Sequence, residues 1–332
     1  MPSIRNDNLQ RVLGPGADRG DVQLATLPTA NDLNVNVPLT NVSLQFRNPT
    51  HIWREALPAV RVASAKDSIR TFGRDSWLIP RAGVRGDGVG PRGGYKVGTE
   101  NYETISYSMA TTVTDRERNA AQLGVDDPDL NATRFCTDQV NLGIEELVSG
   151  VVFGSGNYAT TATPTVKWED GASDPINDVQ TGRTTVQQAI GMPPNVGVIG
   201  QEAFDQLVDH PDIIARFINT QAGILTADMI ARVFLLDRLL VGSVIKVTSK
   251  EGAATVTTSY VWGKFMALLR IPNAAALDTP AFGYTLIWQD EDFLTENWRN
   301  NGETADWIRT RSSVDVLALS NVSGYLLTAV IT

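Results

Sequence analysis

Residues 174–217, DPINDVQTGRTTVQQAIGMPPNVGVIGQEAFDQLVDHPDIIARF, restrict the fold more than any other stretch. They order as helix, strand, helix, helix. Asp174 is placed to cap a helix, and Pro175 suits its first turn. Ile176, Val179, Val186 and Ile190 keep to one side of that helix, and Gly191 ends it. Pro193 and Pro194 block any continuation. The run NVGVIG is short, apolar and bounded by turn residues, which suits a buried strand. Gln201–Val208 reads as a second helix with Ala203, Phe204 and Leu207 inward. His210 and Pro211 start a third, carrying Ile213, Ile214 and Phe217.

A longer helix precedes this stretch. Asp126, Asp127 and Pro128 open it, and it runs to about Phe153. Leu130, Phe135, Val140, Ile144, Leu147, Val148 and Val151 supply its apolar side. At 1.5 Å per residue it spans roughly 39 Å. Upstream, Thr104–Val113 alternates as a half-buried strand, with Ile105, Tyr107, Met109 and Val113 on the inner face. Downstream, Ile224–Val233 reads as helix. Leu239–Thr248, Tyr260–Arg270, Tyr284–Gln289, Ala305–Leu319 and Tyr325–Ile331 read as strands. The whole is a mixed α+β chain.

Residues 61–100 behave differently. Val62–Phe72 and Ser76–Ile79 are strand-like, and six glycines (83, 86, 88, 90, 93 and 94) follow. Such a segment builds no core of its own. It is a flexible loop or the tip of a two-stranded arm that packs on another chain. Its eight basic residues outnumber its four acidic ones, whereas residues 101–150 hold nine acids against three arginines. A basic protrusion and an acidic body suit head-to-tail contact between identical copies. On charge alone, both also read as ordinary solvated faces. No phosphate-binding glycine motif is present.

The chemistry-bearing residues are few. The two histidines, His51 and His210, lie at a turn or helix start, and Cys136 is a lone thiol inside the long helix. One cysteine excludes an intrachain disulfide and suits a reducing compartment. Cys and His do not cluster as metal ligands. The acid pairs Asp126–Asp127, Glu145–Glu146 and Asp290–Glu291 are adjacent in sequence, so their side chains diverge. No catalytic, cofactor or metal residue is expected. The segment WQDEDFLTENW invites a carbohydrate or enzyme reading near Asp290, against a strand ending in a surface loop. The net charge of −9 argues against tight binding to phosphates. No run approaches the roughly 20 apolar residues of a membrane-spanning helix, and MPSIRNDNLQ lacks the apolar core of a signal peptide.

Several of these motifs, in their order, resemble those of one family. Trp168 precedes Asp174-Pro175. Gly191-x-Pro193-Pro194-Asn195 precedes the buried strand, and His210-Pro211 ends the next helix. Earlier, Leu39-Thr40-Asn41 and Arg47-Asn48 lead into Ile52-Trp53, Leu57-Pro58 and Val60. Residues 39–332 thus resemble the major capsid proteins of tailed bacteriophages, which share the Hong Kong 97-type capsid fold.

The resemblance implies a non-enzymatic subunit of an icosahedral virion shell, made in the host bacterial cytoplasm. It would assemble with itself into pentamers and hexamers and enclose double-stranded DNA without reading its sequence. Implied partners are a separate scaffolding protein, a portal and a decoration protein, with no membrane and no cofactor. The implied architecture is an N-terminal arm (1–45), an extended β-hairpin loop (61–100), a peripheral domain (46–60, 101–170 and 299–332, with a spine helix at about 128–153) and an axial domain (171–298). Expected inter-subunit residues in the arm are Arg70, Arg74, Arg81, Arg85, Arg92 and Lys96. The acidic acceptor face would be Asp126, Asp127, Asp129, Asp138, Glu145 and Glu146. Two alternatives stand beside this: an encapsulin-like compartment shell, and an α/β enzyme with an acidic surface site.

Overall fold

The computed structural model describes residues 39, 50–72, 97–120, 127–217, 225–250, 255–272 and 280–332, all within the unit formed by residues 35–332. Among the described residues the elements run from a short helix α1 (Trp53–Ala56) to β1 (Ala59–Val62), β2 (Lys66–Phe72), β3 (Val97–Glu103) and β4 (Ile105–Thr114). Helices α2 (Asp115–Ala120) and α3 (Pro128–Val152) follow, then β5 (Thr161–Ala162), α4 (Pro175–Ile190) and β6 (Val196–Gly200). Next come α5 (Gln201–Val208), α6 (Pro211–Phe217), α7 (Ala227–Val233), β7 (Arg238–Gly242), β8 (Ile245–Val247), β9 (Thr258–Tyr260) and β10 (Met266–Leu269). The last strands are β11 (Gly283–Trp288), β12 (Leu294–Asn300), β13 (Ala305–Ala318) and β14 (Gly324–Leu327).

The stretch from α4 to α6 forms as its residues dictate. The Asp174 side chain accepts from Asn177 N at 2.9 Å, Pro175 sits in the first turn, and Gly191 closes α4 at φ 73°. Every residue of β6 is buried. That follows from its place, parallel to β7 on one side and antiparallel to β10 on the other, in a sheet ordered β5-β14-β10-β6-β7. One core cluster joins α4, α5, α6 and α7 to that sheet through Val179, Val186, Leu207, Ile213, Ile230 and Leu268.

The second large sheet is ordered β1-β11-β13-β12, with β4 also paired to β13. The 14-residue β13 is its axis: β4 runs along one edge, and β12 and then β11 run along the other. Sequence order does not separate the two sheets. Strands β11 and β12, assigned above to the axial domain, pair with β13. Strand β14, assigned to the peripheral domain, pairs with β10 in the other sheet. The cause is long-range pairing, which local patterning does not encode.

Helix α3 lies between these parts. Val140, Ile144, Val148 and Val152 belong to a cluster that also holds Trp53, Trp262 and, from the two sheets, Val198, Ala267, Ile287 and Val314. Among the described residues, strands β2 and β3 pair only with each other, from Lys66↔Glu103 to Phe72↔Val97. They form a two-stranded antiparallel sheet. The glycine-rich residues 83–94 and the strand expected at 76–79 lie outside the described residues, as do residues 1–38. No helix of the described residues is long and apolar enough to cross a membrane.

Two faces differ from expectation. Of the residues assigned to the inner face of β4, Val113 is buried against Leu39, Ala132 and Ile308, but Ile105 is 59% exposed and Met109 37%. The strand is covered only towards its C-terminal end. On α3, Phe135 is 48% exposed, because the buried face is centred one residue further on, at Cys136.

A glycine tests the packing around α3. A Cβ on Gly242 would lie 2.1 Å from the Trp262 ring, whereas one on Gly143 would meet nothing within 4 Å. Gly242→Ala is expected to destabilise the chain by about 1–3 kcal/mol through overpacking. Gly143→Ala in the helix interior is expected to stabilise it by about 0.5–1 kcal/mol. Urea unfolding of the two variants reads both signs.

Candidate functional site

Two ridges of α3, each with four-residue spacing, face inward side by side. One is apolar: Ala132, Cys136, Val140, Ile144, Val148 and Val152. The other is polar: Thr133, Thr137, Asn141, Glu145 and Ser149. A buried polar ridge must find internal partners, and this one does. The Thr133 and Thr137 hydroxyls donate back to Asp129 O (2.8 Å) and Thr133 O (2.7 Å). Asn141 Nδ2 donates to Thr137 O at 3.0 Å, and its Oδ1 accepts from Trp53 Nε1 at 3.3 Å. Ser149 Oγ donates to Val261 O at 3.0 Å.

Glu145 is the centre of the ridge. It is 0% exposed. Its carboxylate accepts from Ile52 N (3.1 Å), Trp53 N (3.0 Å) and Trp262 Nε1 (2.5 Å). The first two are free amides at the start of α1, which has no side-chain cap of its own. One carboxylate thus ties the segment entering the core and the loop before β10 to α3. His51 stands beside it, with Nε2 3.2 Å from Asp138 Oδ1 and Nδ1 3.6 Å from Glu145 Oε2. Burial lowers the proton affinity of His51. The close contacts and charge of Glu145 and Asp138 outweigh that and leave its pKa raised.

The expected acidic acceptor face is therefore not one surface. Asp127 caps α3, accepting from Asp129 N at 3.0 Å and Leu130 N at 3.4 Å. Asp129 pairs with Arg118 (2.7 Å), Asp138 with His51, and Glu146 with Lys246 (2.6 Å). Glu145 is corrected outright: it is a core residue. Asp126 lies outside the described residues. Of the expected basic contacts, Arg70 falls in β2 opposite Thr99. Arg74, Arg81, Arg85, Arg92 and Lys96 lie outside the described residues.

Sequence reading missed a charge network on the β12–β13 side. Arg299 grips Asp115 with both nitrogens, at 2.6 and 2.5 Å, and reaches Asp306 at 3.2 Å. Arg118 joins Asp306 to Asp129. The Arg299 hydrogen bond holds the Asp115 carboxyl below the usual range, and Arg118 does the same for Asp306. Nearby, Trp298 and Trp307 stack at 6.1 Å, with the Arg309 guanidinium over Trp298.

The residues weighed for catalysis have structural partners. His210 Nδ1 accepts from Asp212 N at 3.2 Å at the start of α6, and its Nε2–H is left to donate to Ser173 Oγ at 3.0 Å. Cys136 is buried, and burial pushes its thiol up to about 11. In the acidic segment, Glu291 meets Arg311 and accepts from Ser313, and Asp292 meets Arg61 at 2.6 Å. Among the described residues, no group of three or more His, Cys, Asp or Glu is placed to hold a metal ion.

Against known proteins, residues 153–243 match the model of the family described as phage major capsid protein E. The major capsid protein of Burkholderia phage BcepMu is 23% identical over 260 residues, covering 76% of this chain and 83% of that protein. The crystal structure of a phage-related protein from Bordetella bronchiseptica RB50 superposes with a TM-score of 0.71 at 22% identity, over 89% of this chain and 97% of that one. An encapsulin from Synechococcus elongatus PCC 7942 shares the fold at a TM-score of 0.50 and 10% identity, over 98% of this chain and 95% of that one. Phage capsid structures carry the same fold at 10–12% identity. The resemblance to phage major capsid proteins holds, and the fold is the Hong Kong 97-type capsid fold.

Removing the Glu145 carboxylate strands three N–H donors, two of them fully buried and each of these costing about 1–3 kcal/mol. Glu145→Ala is expected to lose about 3–5 kcal/mol, and Glu146→Ala, on the exposed turn beside it, less than about 0.5 kcal/mol. Denaturant midpoints of the two variants check the contrast.

Proposed function

We propose that this chain is the major structural subunit of a phage shell. Copies of it assemble into pentamers and hexamers and close into an icosahedral particle around double-stranded DNA. The observation that carries this reading is the correspondence, over most of both chains, with a phage major capsid protein. The paired β2 and β3 make no pairing with either large sheet, which supports reading them as the base of an arm that reaches a neighbouring copy. Arg70 and the basic residues beyond it at 74, 81, 85, 92 and 96 then act at that contact, meeting the exposed carboxylates of a neighbour. Ile105, Met109 and Phe135 are exposed apolar side chains that such contacts would cover.

The chain works by geometry, not catalysis. Each subunit offers several different contacts, and repeated heterologous contacts close into rings. Interfaces on the order of 1,000 Å² each hold firmly when many act together. The net charge of −9 lets the shell enclose DNA without adhering to it. Its place is the virion, built in the host bacterial cytoplasm, with a separate scaffolding protein, a portal and a decoration protein as partners. An encapsulin-like compartment is the second reading, and the fold shared with an encapsulin favours keeping it.

Sedimentation of the purified full chain is expected to show large closed particles or capsomers. A variant in which a short linker replaces residues 73–96 is expected to stay folded and sediment as small species. Monomer alone, under all conditions and in both proteins, contradicts the reading. Nuclease-protected DNA inside particles from infected cells separates a virion from a cargo-filled compartment.

A further inference from the structure

The segment 51–57 is a strap across α3. Trp53, Ala56 and Leu57 are buried in the core, and the backbone N–H groups of Ile52 and Trp53 end on Glu145. His51 leads into it, with its side chain only 7% exposed, held between a fully buried carboxylate and a partly exposed one. A neutral imidazole has one N–H and serves one of the two carboxylates. An imidazolium has two and serves both. The Nδ1 atom is buried and makes no hydrogen bond that satisfies normal geometry, although Glu145 Oε2 lies 3.6 Å away. His51 is also the one basic side chain in ion-pair range of Glu145 among the described residues.

We propose that His51 is a proton-operated latch. With both ring nitrogens protonated, it bridges Asp138 and Glu145 and fastens the strap 51–57 to α3. When one proton leaves for solvent, one of those contacts is lost and the strap loosens.

The charged groups facing the ring come from more than one element. Asp138 and Glu145 face it from α3. On the strap itself, the Arg54 guanidinium lies over the Trp53 and Phe293 rings, 4.5 and 5.4 Å from their centres. Glu55 follows it, and Arg238 of β7 donates to the Glu55 carbonyl at 3.1 Å. The carboxylates dominate at the ring, so the folded chain holds this proton more firmly than the unfolded one does. The stabilisation is therefore complete below the ordinary imidazole value of about 6.5. It is lost as pH rises through the higher folded value. Loosening is partial, because three N–H donors still hold Glu145 when His51 is neutral.

The test is amide hydrogen exchange of the full chain at pH 6.0 and 8.5, in one assembly state and corrected for intrinsic rates, with thermal melts over the same range. Protection of residues 51–57 is expected to fall about threefold to tenfold at the higher pH, the scale set by the net loss of one hydrogen bond. Protection of β6 and β10 is expected to hold. The melting temperature of the native chain falls across the window, and that of His51→Gln is lower at pH 6.0 and nearly flat. Equal protection of the strap at both pH values overturns the proposal. So does a melting slope in His51→Gln equal to that of the native chain. Should His51→Gln not fold, strap exchange in the native chain decides alone.

Discussion

A carboxylate with no water around it has to be satisfied by the protein, and in this chain that demand falls at the middle of α3. Glu145 meets it with two backbone amides from the strap and one indole N–H from the loop before β10. Those donors are more than 90 residues away in sequence. Satisfying one side chain therefore sets where two distant segments lie. The apolar ridge beside it supplies the driving force for burial, but apolar contacts carry no direction. The polar ridge gives the register in which α3 meets its neighbours.

The outside of the molecule follows another rule. Arg118, Arg299, Asp115, Asp129 and Asp306 pair across strands and helices at partly exposed positions. Such pairs stabilise little individually and act mainly as a pattern of charge. The exposed Ile105, Met109 and Phe135 add apolar surface. A rigid interior with an outer surface rich in unfinished contacts suits a subunit whose proposed work is to meet copies of itself.

Elements governed by local chemistry were legible in the sequence. Asp174, Pro175 and Gly191 mark the two ends of α4, and Pro128 and Phe153 bracket α3 to within a residue. Features set by distant partners were not. The inner face of β4 alternates correctly, yet Ile105 and Met109 lie beyond the part that the core covers. Glu145 and Glu146 both read as members of an acidic acceptor face, but one residue of helix rotation puts the first in the core and the second on the surface. The clue was present as a four-residue polar spacing, Thr133-Thr137-Asn141-Glu145-Ser149, running parallel to the apolar one. The pairings of β11, β12 and β14 were not legible for the same reason, since their partners are set by tertiary structure.

The central claim is that one rigid body, held by the α3 seam, repeats into a closed shell through its arm. Electron cryomicroscopy of the assembled full chain tests it most directly. The account predicts closed particles with five- and sixfold clusters of this fold, each β2–β3 arm lying on a neighbouring subunit. Particles in which the arm folds back on its own subunit, or preparations with no closed shell, would contradict it.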